Sequence, residues 1–182
     1  MGMPASVTWT PEMVWALPED GNRYEIFDGA LVVTPSPGFP HQVALGRLQF
    51  AFYTWAERER AFFAGASPSD IRLGERTMVQ PDLYVVPREV ARGDFPFPLE
   101  RVVLAIEVLS PSHRRRDLEV KRAIYARAGV PLYWVVDHRA QGVHVFAPDG
   151  GPGTLVHDTL TWHPAGAQIP FSIPVPELFA PI

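Results

Sequence analysis

The stretch "RVVLAIEVL" (residues 101–109) is apolar at both alternating sets of positions. Val103, Ala105 and Leu109 fall on one side with Glu107, and Leu104, Ile106 and Val108 fall on the other. A strand apolar on both faces is a central strand covered by two layers. "LYWVVD" (132–137), "DLYVV" (82–86) and "IRL" (71–73) read as further strands. From Pro40 to about Arg60 the period changes: His41, Leu45, Leu48, Phe52 and Trp55 form one helical stripe. "WTPEMVWAL" predicts a short helix with Thr10 as N-cap and Pro11 at N1. "YEIFDGALVV" is two short runs around Asp28-Gly29, the signal of a type I′ hairpin.

"RRRDLEVKRAIYARAG" predicts a helix closed by Gly129. At 100° per residue its Leu118, Val120, Ile124, Tyr125 and Ala128 share one apolar arc. "GVHVFA" and "GTLVHDTLTW" predict a further hairpin. The order is helix, three strands, helix, strand, then β additions. That is an α/β (α+β) fold: a mixed central sheet flanked by helices, with extra β-hairpins. One domain is expected over residues 1–182, with an N-terminal helix and hairpin (9–33), a core (about 40–137) and C-terminal β additions (142–182).

Composition narrows the class. The chain has 182 residues, 47% of them hydrophobic, so a sizeable core is available. It has no cysteine, which excludes disulfides and thiolate metal sites. No run of eighteen apolar residues occurs, and the N-terminus lacks a basic start and apolar stretch. A cytoplasmic protein with no membrane partner is expected. The net charge is −4, so bulk attraction to nucleic acid is not expected. Residues 101–127 nevertheless carry seven cations against three anions. Of 16 basic residues, Lys121 alone is a lysine.

Glu107 is the chemical anomaly, because a carboxylate in a buried strand must be paired, metal-bound or protonated. Asp82, after Pro81 at the mouth of a strand, is in a similar setting. Two carboxylates at the ends of neighbouring strands suit a hard divalent cation. Lys121 lies near the middle of its helix's apolar arc, aimed at the layer that holds Glu107, so the two form an expected pair. Asp117 lies one turn earlier on that arc, where an acid also suits the helix dipole. Glu25 reads equally as a site acid or a surface residue. His41 reads as a core or cap residue, Asp70 as a cap or turn residue, and Tyr133 and Trp134 as core. "HRRR" (113–116) reads as a solvated helix start that could meet phosphate. No GxGxxG, P-loop or HExxH motif is present.

The set Pro81-Asp82, Glu107 and Lys121 resembles the PD-(D/E)XK nuclease-like superfamily. The usual acid-x-Lys spacing is broken, since Leu109 stands at the lysine's place. With "RYEIFDGALVV", the "PD" strand, "EVLSPS", "RRRD", the later lysine and "YARAGVPLYWVVD", the chain resembles the Uma family of bacterial proteins, described as restriction endonucleases. In that family the lysine is understood to have migrated to the helix. The resemblance implies a restriction-endonuclease-like core and metal-dependent phosphodiester hydrolysis. It implies that Asp82 and Glu107 hold Mg²⁺ (or Mn²⁺), with the Val108 carbonyl as a further ligand. Lys121 would position the attacking water or stabilise negative charge, and Glu25 and His41 would be accessory. Arg114, Arg115 and Arg116 would meet nucleic acid, expected to be DNA, in a protein that could act as a homodimer. The alternative is an inactive member of the fold serving as a binding or scaffold module.

Overall fold

The computed structural model describes residues 7–93, 95–110 and 113–182; Pro111 and Ser112 of the "EVLSPS" motif lie outside them. The chain runs α1 (Pro11–Trp15), β1 (Arg23–Phe27), β2 (Ala30–Thr34), α2 (Phe39–Glu59), β3 (Phe62–Ala66), β4 (Ile71–Leu73), β5 (Thr77–Val79), β6 (Leu83–Pro87) and α3 (Arg88–Ala91). It continues through β7 (Leu104–Val108), a π-helical turn (Arg116–Lys121), α4 (Arg122–Arg127), β8 (Tyr133–Asp137), β9 (Gly142–Phe146), β10 (Thr154–Val156), β11 (Thr159–Trp162), β12 (Phe171–Pro174) and α5 (Val175–Phe179).

The large sheet has the order β10-β9-β8-β7-β6-β3. Its β7–β8 pairing is parallel, and the neighbouring pairings are antiparallel. That parallel step demands a crossover, and the π-turn with α4 supplies it. β7 is buried along its whole length, as a strand apolar on both faces must be. One face carries α2, where Phe52 stacks on Phe171 of β12 at 3.9 Å and tilts onto Trp134 of β8 at 5.9 Å. The other face carries Ile124, Tyr125 and Ala128 against Ala105 and Leu109.

Local rules explain the ends. Asp28 (φ 51°) and Gly29 (φ 88°) both adopt positive φ, the requirement of a type I′ turn. After α4 the amides of Gly129 and Val130 bond back to the carbonyls of Ala126 and Tyr125, a Schellman closure with Gly129 at φ 73°.

Several expectations are corrected. "IRL" does not enter the large sheet; β4 joins β5, β1 and β2 in a second sheet. The first core strand is instead β3, "FFAGA", which pairs with β6. Gly65 is needed there, because a Cβ would come within 2.2 Å of the Tyr84 ring on the paired strand. β7 begins only at Leu104, since Leu99–Arg101 form a 3₁₀ turn. "GTLVHDTLTW" breaks into two strands, β10 on the large sheet and β11 paired with β12. Val120 is exposed, at the edge of its arc and a full 100° from Lys121. The C-terminal elements are lashed to α2, where buried Glu59 accepts the amides of Gln168 and Ile169.

Candidate active site

β6 and β7 pair with Leu83 opposite Ile106. Carried one residue further, this antiparallel register sets Asp82 opposite Glu107 with both side chains on one face. Both are buried. The two strands are also joined here directly, as the Val108 amide donates to Asp82 Oδ2 at 2.9 Å. His41 Nε2, at the start of α2, lies 3.0 Å from the same oxygen. Arg23 Nη1 donates to Asp82 Oδ1 at 2.6 Å.

Glu107 Oε1 accepts Lys121 Nζ at 2.7 Å and the Tyr125 hydroxyl at 2.9 Å. The expected Glu107–Lys121 pair therefore exists. Lys121 has a second partner, Glu25 Oε1, at 2.8 Å. Glu25 is fully buried, so its reading as a surface residue is overturned. Its Oε1 also accepts the Gln80 amide, which ties β1 to the approach to β6. Asp117 is buried too, with Arg116 Nε donating to it at 3.1 Å. The π-turn presents Asp117 and Lys121, four residues apart, to the same interior.

These groups meet at a cleft of about 180 Å³ whose lining includes Arg23, Asp82, Glu107, Val108, Arg116 and Asp117. A second hollow of about 350 Å³ adjoins it and shares Gly38, His41 and Ser110. Arg114 lines this hollow, fixed by Asp137 at 2.6 Å. The three consecutive arginines thus diverge. Arg116 faces the first cleft and Arg114 the second, while Arg115 is exposed and paired with Glu119 on the helix surface. Asp70 is no helix cap; it accepts Trp15 Nε1 and Gln80 Nε2, each at 2.8 Å. Tyr133 and Trp134 are core, and Tyr133 also donates to the Asp117 carbonyl.

Residues 11–175 match the Uma2 family model, described as "Putative restriction endonuclease". The chain belongs to the Uma2 family. No curated protein matches it. A crystal structure from Anabaena variabilis ATCC 29413, titled a putative nuclease belonging to DUF820, is similar with a TM-score of 0.78. The identity is 19%, and the match covers 94% of this chain and 97% of that one. It shares the fold: helices packed around a mixed sheet.

Arg23 and Asp117 are the site groups that sequence reasoning missed or undervalued in this Uma2 protein. The signal for Arg23 is periodicity: it lies two residues before Glu25 on one strand, hence on the same face. For Asp117 it is the four-residue spacing to Lys121.

The electrostatics follow from burial and crowding. Burial alone would raise the Asp82 carboxyl, but the His41 hydrogen bond and the charges of Arg23, His41 and Lys121 hold it well below the usual range. Burial raises the Glu107 carboxyl; Lys121 opposes this, while Asp82, Asp117 and Glu25 add to it. Burial would lower the Lys121 ammonium, yet Glu107, Glu25, Asp117 and Asp82 together raise it well above the usual lysine range. Lys121 is a fixed positive charge.

Among the described residues no three His, Asp or Glu side chains form a ready-made metal cage. A two-carboxylate site still fits Mg²⁺, which keeps several waters and takes one or two carboxylates plus phosphate oxygens. The Arg23 guanidinium already occupies the position of a cation at Asp82 Oδ1. Among the described residues no helix is long and apolar enough to cross a membrane.

Proposed function

We propose that this Uma2 protein is a metal-dependent endonuclease that hydrolyses phosphodiester bonds in DNA. The observation that carries the reading is the pair Asp82 and Glu107, opposed on adjacent strands and lining one cleft. Asp82 and Glu107 would hold Mg²⁺ or Mn²⁺, with the Val108 carbonyl as a further ligand. What a divalent cation supplies when bound is a lowered pKa for coordinated water and neutralised charge on the scissile phosphate.

The chain's own groups do the rest. Lys121 is fully buried behind Glu107, so it is a positioning residue that fixes Glu107 rather than a group that touches substrate. Its raised pKa also rules against a role as general base. Glu25 holds Lys121 from the other side, and His41 orients Asp82. Asp117, at the cleft wall and raised chiefly by burial, is the carboxylate suited to take a proton from the attacking water. Arg116 and Arg114 suit phosphates on either side of the cut. Cutting both strands of a duplex calls for two such sites, so a cytoplasmic homodimer completes the proposal.

One observation favours a second reading, an inactive scaffold. Both Asp82 oxygens already have protein partners. Cleavage of mixed plasmid and oligonucleotide DNA with Mn²⁺, wild type against Asp82→Asn, separates the two. The nuclease reading expects cutting that the substitution reduces at least about a hundredfold while the circular dichroism spectrum stays native. Equal cutting by the folded variant would discard the site, and no cutting by either protein would favour the scaffold.

A further inference from the structure

Arg23 lines the cleft and sits directly on Asp82, a proposed metal ligand. Its side chain is 17% exposed, and its Nη1 lies 2.6 Å from Asp82 Oδ1. The rest of the guanidinium is poorly served. Nη2 reaches the Gln80 carbonyl only at 3.4 Å, and the buried Nε has no partner. An arginine carries five N–H donors in a planar fork, so this one is held by one strong contact and can gain more. It also comes from the second sheet, whereas Asp82 and Glu107 come from the large one.

A divalent cation and a guanidinium compete for Asp82 Oδ1, because like charges at that spacing repel. A phosphodiester offers what Arg23 lacks: two non-bridging oxygens that match the fork. We propose that Arg23 is a substrate-phosphate ligand held in reserve on Asp82. A phosphodiester entering the cleft takes the guanidinium, and Asp82 Oδ1 is released to hold the metal. Metal and substrate phosphate then bind cooperatively, and the substrate-free protein holds metal weakly. This rests on the metal-dependent nuclease reading above.

Calorimetric Mn²⁺ titrations test it, using wild type, Arg23→Met and Asp82→Asn, each with and without millimolar thymidine 5′-monophosphate as the phosphate probe. Binding of Mn²⁺ by the nucleotide itself is subtracted. Breaking a charge-assisted hydrogen bond sets the expected size. Without nucleotide, Arg23→Met should bind Mn²⁺ about tenfold more tightly than wild type. In the wild type the nucleotide should tighten Mn²⁺ binding by a similar factor, and in Arg23→Met it should add little. If the wild type binds Mn²⁺ through Asp82 but Arg23→Met is no tighter, or the nucleotide has no effect, the role of Arg23 fails alone. If no protein shows Asp82-dependent binding, the metal reading and the Arg23 role fall together. Should Arg23→Met not fold, Arg23→Lys replaces it; it keeps the charge but loses the fork, and it should show a smaller tightening and weaker coupling. Wild-type behaviour from that variant overturns the proposal equally.

Discussion

Tyr125 donates its hydroxyl to Glu107 Oε1, the oxygen that Lys121 also holds. A buried carboxylate is tolerated only when its lone pairs are used, and here two donors from one helix, four residues apart, meet that need. Tyr125→Phe removes one donor and keeps the ring packed on Tyr133 at 4.7 Å. A hydrogen bond to a charged group is worth about 1.5–3 kcal/mol. Urea unfolding should show a loss of that order, with the slope unchanged.

Lys121 is the larger liability. Replacing it with methionine leaves Glu25 and Glu107 buried without their shared cation. Breaking a buried pair from one side costs about 3–5 kcal/mol. Lys121→Met should therefore unfold at markedly lower urea. The double variant Lys121→Met with Glu25→Gln should recover part of the loss, since one orphaned charge is gone. An additive double variant would show that Glu25 and Lys121 are not coupled.

Asp137 gives a pH signature away from the proposed metal. Burial would raise its carboxyl, but His144, Arg114 and the Ala140 amide outweigh this and lower it. A depressed carboxylate contributes stability above its unfolded pKa of about 3.9. That contribution is lost as pH falls through the still lower folded value. Asp137→Asn should cost about 1–2 kcal/mol at pH 7. The gap to wild type should close below about pH 4, read from thermal unfolding across pH 2.5–7 (roughly the span of one carboxylate titration). A gap constant with pH would mean that the charge of Asp137 does not matter.

Gly65→Ala tests the packing of the missed strand. The added methyl meets the Tyr84 ring at 2.2 Å. Overpacking of this kind costs about 1–3 kcal/mol. The paired change Gly65→Ala with Tyr84→Leu should restore most of it, and differential scanning calorimetry of the three variants measures the coupling.

The same glycine explains part of what the sequence conceals. "FFAGA" carries no alternation, and its glycine argues against a strand until Tyr84 is seen lying across it. The elements with strong local signals, Asp28-Gly29, the stripe from His41 to Trp55 and the closure at Gly129, all stand where their chemistry puts them. At the site, Glu107 is conspicuous because a charge interrupts an apolar strand, and Lys121 because it interrupts an apolar arc. Arg23 and Glu25 are not conspicuous. They alternate with apolar residues on a short hairpin strand, and their partners Gln80, Asp82 and Lys121 come from distant segments, which no local window contains.

The π-turn has a consequence for chain length. From Arg116 to Lys121 the helix is wound one residue wider per turn than α4, which follows it. A deletion of one residue there, for instance Glu119, would let the segment close as ordinary α-helix. The crossover to β8 and the Gly129 closure could then keep their places. Asp117 and Lys121 would then stand three residues apart instead of four, still neighbours on one helix face but with the acid rotated against the cleft wall. The helix can thus be made more regular only by shifting one wall of the candidate site. In this segment the irregularity belongs to the site and not to the fold.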